Sequence, residues 1–347
     1  MAKNTANKEI KVLGIDLGKL NFHLHGVDAQ GQRVFRKSLT RNKIFEFMAQ
    51  LKPCLVGMEA CGGAHHLARK FKEYGHDVRM MAPQFVKPYV KSNKNDNVDA
   101  EAVCEAVGRP NMRFVPTKSI EQQDLQSLHR VRSLAIAHRT AQTNQMRGVM
   151  LEYGIVIPKG NGQVRRLVPE ILENAGNGLT KEMCELLAHL WEVLVALDER
   201  IADYNAKIRA ISESNVACKR LMTIPGIGSL TATALVAAIG DVSVFKNGRE
   251  MAAWLGLVPR QHSTGGKTRL LGISKRGDAY LRSLLVHGAR AVLRFAPNKT
   301  DRRSRWATEL ERRRGWNIAS VALAAKNVRT AWALLAKSER YRLMEAV

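Results

Sequence analysis

Four carboxylates in the first third of the chain have the types and positions expected of a metal site. Asp16 directly follows the apolar run VLGI, and Glu59 directly follows the run CLVGM. Each run is typical of a strand, and if the two strands are neighbours both acids emerge at one edge of a sheet. Asp96 and Asp99 stand three residues apart at the start of a predicted helix, so they share a face. The sequence therefore predicts that four acids converge on one cleft.

Such a cluster predicts a divalent cation and phosphoryl-transfer chemistry. Like charges repel unless a cation neutralises them, and oxygen ligands favour a hard ion, Mg²⁺ or Mn²⁺. Two such ions, roughly 3.5–4 Å apart, can activate an attacking oxygen and stabilise a leaving one. Each acid taken alone has another interpretation, because strand-end aspartates often close turns and Asp-x-x-Asp often caps a helix. Their joint placement favours the metal site.

A loop that carries hydroxyl groups lies in a strongly basic part of the sequence. Residues 260–294 contain eight basic residues and one acid, Asp278. Within them, HSTGGKTRLLGISKRG offers Ser263 and Thr264 beside a glycine pair. A hydroxyl is a poor nucleophile, so its attack on a phosphate needs nearby positive charge or a metal. The alternative is that both hydroxyls make ordinary loop hydrogen bonds.

Other C-terminal segments predict contacts with a nucleic acid. Residues 221–240 resemble a helix-hairpin-helix, whose glycines let backbone N–H groups approach a phosphate, although a plain turn between buried helices is the alternative. The arginines near Trp306 could grip a phosphate backbone, or could form a solvated helix face. The predicted contacts are Gly226, Gly228, Arg260, Lys267, Arg269, Lys275, Arg276, Arg282, Arg302, Arg303 and Arg305.

The elements that must position the acids follow the order β-β-β-α-β-α-β-α over about the first 107 residues. This order is that of an RNase H-like fold, a mixed sheet with helices on its faces. We accordingly predict an RNase H-like catalytic domain over residues 8–117. The GIDLGKLNFHL segment also resembles the phosphate-binding hairpin of actin-like and sugar-kinase ATPases, but the second Asp-x-Gly hairpin of those proteins is absent from the sequence.

Two further regions are predicted to be mostly helical. Residues 118–214 form a helical, coiled-coil stalk interrupted by a glycine- and proline-rich loop or hairpin at 154–178, and residues 215–347 form the C-terminal domain with an irregular segment at 258–277. Helical spacing is clear in two places. These are Leu125, Leu128, Val131 and Leu134, and the seam Leu187, Leu190, Leu194, Leu197 and Ile201.

Composition supports a nucleic-acid partner. The 347 residues include 55 Lys and Arg against 31 Asp and Glu, a formal net charge of +24. So many like charges repel one another, and a polyphosphate partner is the natural reason for a protein to tolerate this repulsion. The alternative is a basic surface with no specific partner. We expect no secretion signal, no membrane span and a cytoplasmic location. Five scattered cysteines, without a CxxC pair, indicate neither disulfides nor a zinc site.

Five collinear motifs resemble those of the DEDD transposases of insertion sequences, in the family numbered 110 and its 1111 subgroup. They are GIDLGK at Asp16, MEACGG at Glu59, KNDNVDA at Asp96 and Asp99, IPGIG at 224–228, and GLVPRQHSTGGKTRLLGISKRGDAYLR at 256–282. The resemblance covers essentially the whole chain. It implies a RuvC-like domain with the acid tetrad Asp16, Glu59, Asp96 and Asp99, a coiled-coil stalk, and a transposase domain with a serine nucleophile.

The resemblance further implies RNA-guided recombination. A structured non-coding RNA would pair with donor and target DNA, and strands would be exchanged through a seryl-DNA intermediate in a tetramer with composite sites. The family's serine commonly precedes the glycine pair directly, where this chain has Thr264, with Ser263 one residue earlier. Ser263 is favoured as a primary hydroxyl, and Thr264 remains the alternative. The competing functions are a Mg²⁺-dependent hydrolytic nuclease of branched DNA and a non-catalytic nucleic-acid-binding protein.

Overall fold

The computed structural model describes residues 9–91 and 95–342. It divides the chain into two compact units, Met1–Ser119 and Ile120–Val347. The stalk predicted at 118–214, except for residues 118 and 119, and the C-terminal domain predicted at 215–347 fall within the second unit. Residues 1–8, on which the expectation about a secretion signal rests, lie outside the described residues, as do Lys94 of the KNDNVDA motif and residues 343–347.

The first unit is built on a six-stranded mixed sheet. Its strands are β1 (Val12–Leu17), β2 (Asn21–Val27), β3 (Arg33–Thr40), β4 (Leu55–Glu59), β5 (Asp77–Met81) and β6 (Phe114–Val115). They lie in the order β3-β2-β1-β4-β5-β6, with β1, β4 and β5 parallel and the other pairings antiparallel. The predicted RNase H-like fold class is confirmed. The edge strand β6 was not predicted, because two residues show no periodicity.

Helices cover this sheet. They are α1 (Arg41–Gln50), α2 (Ala64–Glu73), α3 (Pro83–Val86) and α4 (Asp96–Val107). Apolar side chains from α1 and α2, among them Ile44, Met48 and Phe71, are fully buried with Leu13 and Ile15 of β1 in one core. Burial of this apolar area is the main force that fixes the strand ends, and with them the acids, in place.

Two glycines let α4 lie unusually close to the sheet. A Cβ atom on Gly14 would come within 2.3 Å of the carbonyl oxygen of Ala100, and one on Gly57 within 2.8 Å of the Cβ of Val107. Real Cβ atoms do not approach other atoms so closely, so only glycine fits either position. The close packing of α4 on β1 brings the first turn of that helix to the end of the strand.

The second unit is mostly helical. Its helices are α5 (Ile120–Glu152), α6 (Asn161–Glu173), α7 (Lys181–Ser214), α8 (Val216–Met222), α9 (Ser229–Ile239), α10 (Gly248–Trp254), α11 (Ala279–Phe295), α12 (Arg302–Arg314) and α13 (Trp316–Lys337). A hairpin, β7 (Pro259–Gln261) with β8 (Leu270–Ile273), interrupts them within the segment predicted to be irregular. A large apolar core joins α8 to α13. Nowhere in the described residues is a helix long and apolar enough to span a membrane.

The long helices α5 and α7 run antiparallel along each other. Arg139 contacts Asp198 at 3.3 Å, and Gln142 donates to the carbonyl oxygen of Leu190. The seam of α7 is buried at Leu187, Leu194 and Ile201, seven residues apart, which is the spacing that faces a partner helix.

The helix predicted from Leu125, Leu128, Val131 and Leu134 is present as α5, but these four residues do not all lie on its buried face. Val131 and Leu134 are 45% and 56% exposed, whereas Leu125, His129 and Ala135 are buried. A spacing of three residues turns a helix by 300° at each step, so a stripe with this spacing drifts around the helix and leaves the buried face.

The stretch at 154–178 was wrongly predicted to be only a loop or hairpin. It contains α6, whose Val164 and Val168 are fully buried in a core with Met146 of α5 and Leu187 of α7. Glycines before the helix and Pro169 within it conceal the helical pattern, because both residue types are typical of loops. Burial of the apolar face overrides these weak local preferences.

Candidate active site

Asp16 lies between two neighbouring strands that each carry another polar side chain. It pairs with His23 of β2 in antiparallel register. On the other side, Ile15 pairs with Met58 of the parallel strand β4, so Glu59 stands one step further along, beside Asp16. Because neighbouring parallel strands end at the same edge of a sheet, Asp16 and Glu59 emerge together.

Asp96 and Asp99 come from the first turn of α4. Asn95 caps this helix, its Oδ1 accepting a hydrogen bond from the N–H of Asn97 at 3.0 Å. The helix packs on β1 and β2, so the face that carries both acids meets Asp16. One carboxylate oxygen from each of Asp16, Asp96 and Asp99 lies within 4.8 Å of the other two.

Glu59 lies beside this group. Among the described residues, the set within 4.8 Å consists of the three aspartates without Glu59. Even so, burial and then the negative charges of Asp16 and Asp99 raise the pKa of Glu59 above its ordinary value. The structure thus brings three of the four acids into direct proximity and places the fourth within electrostatic reach.

Negative charge in the cluster is poorly compensated. Burial, followed by the charges of Asp99 and Asp96, raises the pKa of Asp16, against a smaller opposing effect of His23. A raised carboxyl pKa means that ionisation is costly in the folded protein. Oxygen donors alone, converging and partly desolvated, fit a hard divalent cation. Asp16, Asp96 and Asp99 could hold such an ion, with Glu59 alongside.

His23 is a residue of this site that the sequence analysis missed. Its Nε2 lies 3.3 Å from Oδ2 of Asp96. Its Nδ1 is buried without a hydrogen-bond partner among the residues that the structure describes. A signal was available, because a hairpin that turns near Lys19 places residues 16 and 23 opposite each other.

The hairpin β7–β8 ends in a two-residue turn. Gly265 and Gly266 occupy the turn with φ of 53° and 75°, the left-handed conformation that a type I′ turn requires. Thr264 and Lys267 close it, the N–H of Lys267 donating to the carbonyl oxygen of Thr264 at 3.0 Å. The glycine pair therefore makes a tight tip to the loop.

Both candidate nucleophiles are at this tip and exposed. Nε2 of Gln261 donates to Oγ of Ser263 at 2.8 Å. Successive side chains of a strand point to opposite faces, so Ser263 shares a face with Gln261, while Thr264 shares one with its cross-strand partner Lys267. The hairpin thus presents its two hydroxyls in different directions.

Free positive charge surrounds the hairpin. Five of the predicted contacts here are exposed, and no acid in the described part of the chain forms an ion pair with any of them; they are Arg260, Lys267, Arg269, Lys275 and Arg276. Arg282 differs from them. Its guanidinium donates to the carbonyl oxygens of Leu255 and Arg276 at 3.2 and 3.1 Å, so it ties down the end of the loop.

The arginines of α12 divide into two kinds. Arg302 and Arg305 are exposed. Arg303 is buried, and its Nη2 donates to the carbonyl oxygen of Pro225 at 3.0 Å and bonds Oδ1 of Asn327. The expectation that Arg303 grips a nucleic acid directly therefore needs correction, because its guanidinium is used inside the fold.

The two glycines of the predicted helix-hairpin-helix also differ. Gly226 has a φ of 90° and packs against Gly288 of α11, where a Cβ atom on Gly226 would come within 2.7 Å of a carbonyl oxygen. Gly228 is exposed at the N-cap of α9, with open space around it. Gly228 therefore remains accessible, whereas Gly226 is required by packing.

Two family models match the chain. One, described as "Transposase IS116/IS110/IS902 family", matches residues 218–305, which include the hairpin and its hydroxyls. The other, DEDD_Tnp_IS110, described as "Transposase", matches residues 13–155, which include all four acids.

Several curated relatives are similar over nearly their full length. A "Probable family 20 transposase" of Pseudomonas aeruginosa is 50% identical over 95% of this chain and 98% of its own. The transposase for insertion sequence element IS1111A of Coxiella burnetii is 46% identical, covering 96% and 92%. The transposase for IS1328 of Yersinia enterocolitica is 42% identical, covering 93% and 96%.

Proposed function

Because this chain belongs to the IS110 family of insertion-sequence transposases, we propose that it recombines DNA at specific sites through a covalent protein–DNA intermediate. The observation that carries this proposal is the convergence of Asp16, Asp96 and Asp99, whose oxygens lie within 4.8 Å of one another. A carboxylate cluster in a strongly basic, DNA-acting protein is suited to phosphoryl transfer.

The acids would hold Mg²⁺ or Mn²⁺. When bound, the cation supplies positive charge that lowers the barrier to displacement at phosphorus. The chain's own contribution is orientation, since β1 and β4 present Asp16 and Glu59 and the capped start of α4 presents Asp96 and Asp99. Strands of one sheet and the helix packed on it would hold these side chains in a fixed arrangement, which would limit the reorganisation that opposes catalysis.

The attacking group would be a hydroxyl of the hairpin tip. Oxygen of Ser263 bonds to phosphorus, the bond from phosphorus to a deoxyribose oxygen breaks, the serine proton is lost and the leaving oxygen gains a proton. A deoxyribose hydroxyl of the partner strand then reverses the step and releases the serine. Ser263 is the first choice because a primary hydroxyl is less hindered; Thr264 is the alternative because it directly precedes the glycine pair.

The basic surfaces would hold donor and target DNA. Exposed cations of the hairpin region, with Arg302 and Arg305 on α12, would contact phosphates. Gly228 would contribute the N-terminus of α9. Arg282 and Arg303 would act indirectly, the first by fixing the loop and the second by fixing the turn at Pro225.

We further propose a structured guide RNA and assembly into dimers that form a tetramer on DNA. The family resemblance motivates both. An exposed apolar stripe on α7 supports self-association, since Leu186 and Val193 stand seven residues apart and are 53% and 50% exposed.

The decisive experiment traps the intermediate. Protein, guide RNA transcribed from the DNA flanking the gene, donor DNA and target DNA are incubated with Mg²⁺ and separated on a denaturing gel. We expect a protein–DNA adduct that Asp99→Asn prevents from forming. Trypsin cuts after Arg260 and Lys267, so one peptide contains both hydroxyls, and its fragmentation identifies the linked residue.

The paired variants Ser263→Ala and Thr264→Ala complete the test. If the double variant recombines DNA like the wild type, the hydroxyl has no catalytic role. Cleavage without an adduct identifies a hydrolytic nuclease instead. If the affinity for DNA does not depend on Mg²⁺ and no strand is broken at any concentration of the ion, the protein is a non-catalytic binding protein.

A further inference from the structure

A buried polar chain connects three helices of the second unit. His129 of α5 is 4% exposed. Its Nδ1 lies 3.0 Å from Oη of Tyr280, at the start of α11, and its Nε2 lies 3.0 Å from Oγ1 of Thr233 on α9. Both ring nitrogens are therefore engaged.

The direction of these hydrogen bonds follows from the threonine. Oγ1 of Thr233 lies 2.7 Å from the carbonyl oxygen of Ser229, which can only accept. The single hydroxyl hydrogen is used there, so Thr233 accepts the N–H of His129 Nε2. Nδ1 then carries no hydrogen, and its lone pair accepts a hydrogen bond from the hydroxyl of Tyr280. Burial lowers the pKa of His129 to about 4, which keeps the imidazole neutral.

A cavity of about 330 Å³ opens beside this chain. Tyr280 and His129 line it together with a wall of three alanines from α9, Ala234, Ala237 and Ala238. A volume of this size is at the lower end of the range for small-ligand pockets, about 300–1,000 Å³. Short methyl side chains leave a smooth apolar surface, on which a flat ring can lie.

Polar groups around the cavity indicate which flat ring fits. Oδ1 of Asp278 accepts the N–H groups of Tyr280 and Leu281 and so caps α11, which leaves the second carboxylate oxygen for another donor. A carboxylate repels phosphate but accepts the exocyclic amino group of a base. Arg130 is exposed at the same cavity and is suited to the phosphate that follows such a base.

We propose that this cavity, defined by His129, Ala238, Asp278 and Tyr280, holds one unpaired DNA base that carries an amino group. Tyr280, fixed by His129, forms one wall and cannot turn away, and the alanines form the other. Asp278 directly follows the segment that carries the hairpin, so the bound nucleotide would belong to the strand held there. The identity of this strand rests on the proposed function, whereas the recognition of the base does not.

Binding of a fluorescent base tests the proposal without catalysis. A DNA duplex with a single unpaired 2-aminopurine, whose fluorescence rises when it leaves the base stack, is titrated with the full-length protein in EDTA. We expect a change in fluorescence with the wild type that a fully paired duplex does not give. Ala238→Leu, which fills the cavity, should weaken this response about tenfold or more. Ala141→Leu, the same change at an exposed position of α5, should leave it intact.

A second variant addresses the base itself. With unmodified unpaired bases as competitors, cytosine or adenine should displace the probe about tenfold better than thymine. Asp278→Asn keeps a side-chain oxygen for the cap and replaces the other oxygen by a donor, so it should reverse the preference towards thymine. This variant keeps the question open to refutation if Ala238→Leu does not fold.

Three results would overturn the proposal. They are an equal response of Ala238→Leu and the wild type, an unchanged base preference in Asp278→Asn, and a response to unpaired RNA with none to DNA. Failure of the proposed function would be distinct, because Asp99→Asn and the double variant Ser263→Ala/Thr264→Ala would then recombine DNA like the wild type whatever the binding assay shows.

Discussion

The carbonyl oxygen of Gly226 lies directly against the α-carbon of Gly288, so closely that a Cβ atom on Gly288 would come within 1.9 Å of it. The contact joins the turn before α9 to the middle of α11. On the other side of this turn, Arg303 and Asn327 both donate to the carbonyl oxygen of Pro225. The turn is therefore held by three helices, α11, α12 and α13, which fixes the N-terminus of α9.

Gly288→Ala should therefore destabilise the second unit by about 2 kcal/mol or more, because backbone rather than a flexible side chain must move. Chemical unfolding measures the loss. Gly228→Ala is the matched control, since open space surrounds Gly228 and the change should cost well under this amount. Equal unfolding midpoints for the two variants would contradict the packing explanation.

Removing one charge from the acid cluster should stabilise the protein when no divalent cation is present. Burial of the carboxylate, followed by repulsion from Asp99 and Asp96, raises the pKa of Asp16, and both penalties disappear in Asp16→Asn, so the melting temperature in EDTA at neutral pH should rise. Mg²⁺ at 100 times its dissociation constant should stabilise the wild type by about 2.7 kcal/mol and the variant far less.

Differential scanning calorimetry with and without Mg²⁺ measures both effects. Glu46→Gln, at an exposed position of α1, is the control and should behave like the wild type. An undiminished Mg²⁺ effect in Asp16→Asn would show that the ion binds elsewhere.

His129 should make stability depend on pH. Its pKa is about 4 in the folded protein and 6.5 as the ordinary value, so the unfolded chain binds the proton more tightly. The contribution is fully present above pH 6.5 and is lost as the pH falls towards 4, by roughly 2–3 kcal/mol. His129→Gln can make both hydrogen bonds without titrating, so denaturant unfolding between pH 7 and pH 4 should show a shallower decline for it. Parallel curves for the two proteins would refute this.

Substitutions at the neighbouring residues Arg302 and Arg303 should affect different properties, DNA affinity for the first and folding stability for the second. Arg302→Ala should weaken DNA binding and reduce the slope of log affinity against log salt by about 1, the loss of one phosphate contact. Arg303→Ala should cost about 1–3 kcal/mol of folding stability, because it leaves partners such as Asn327 unsatisfied. Anisotropy titrations at several salt concentrations, with urea unfolding alongside, separate the effects. The reverse pattern would put Arg303 on the DNA.

Thr264→Ser separates the two candidate nucleophiles. It places a primary hydroxyl directly before the glycine pair, as the family commonly has. In the double variant Ser263→Ala/Thr264→Ser, the hydroxyl at position 264 remains and the one at position 263 is removed. If Ser263 is the nucleophile, the double variant should lose adduct formation by about a hundredfold or more. Retained activity in the double variant, seen on the denaturing gel, would assign the reaction to position 264.

The sequence predicts most of the order of the first unit because strands such as VLGI and CLVGM are short apolar runs bounded by turns. The strand ends follow from this order, and so do the positions of Asp16 and Glu59. The approach of α4 to the sheet does not follow. It depends on Gly14 facing Ala100, two residues whose contact is set by how a helix lies over a strand.

Elsewhere the local sequence pattern predicts the wrong structure or exposure, because the burial of a residue depends on tertiary contacts that the pattern does not contain. Pro169 and the neighbouring glycines suggest a loop, but the buried Val164 and Val168 make a helix. Arg303 belongs to a run of basic residues that looks uniformly solvent-facing, yet one turn of α12 directs it inward to Pro225. Charge counts identify such a surface without telling which of its members turn inward.

Because Gly265 and Gly266 fix the tip of the hairpin, the number of residues before them decides which face of the hairpin each hydroxyl lies on. Side chains alternate between the two faces of a strand, so inserting or deleting a single residue before Gly265 would interchange the faces of the two hydroxyls. Substitutions in this segment can therefore leave the direction of the reactive hydroxyl unchanged. An insertion or deletion of an odd number of residues cannot.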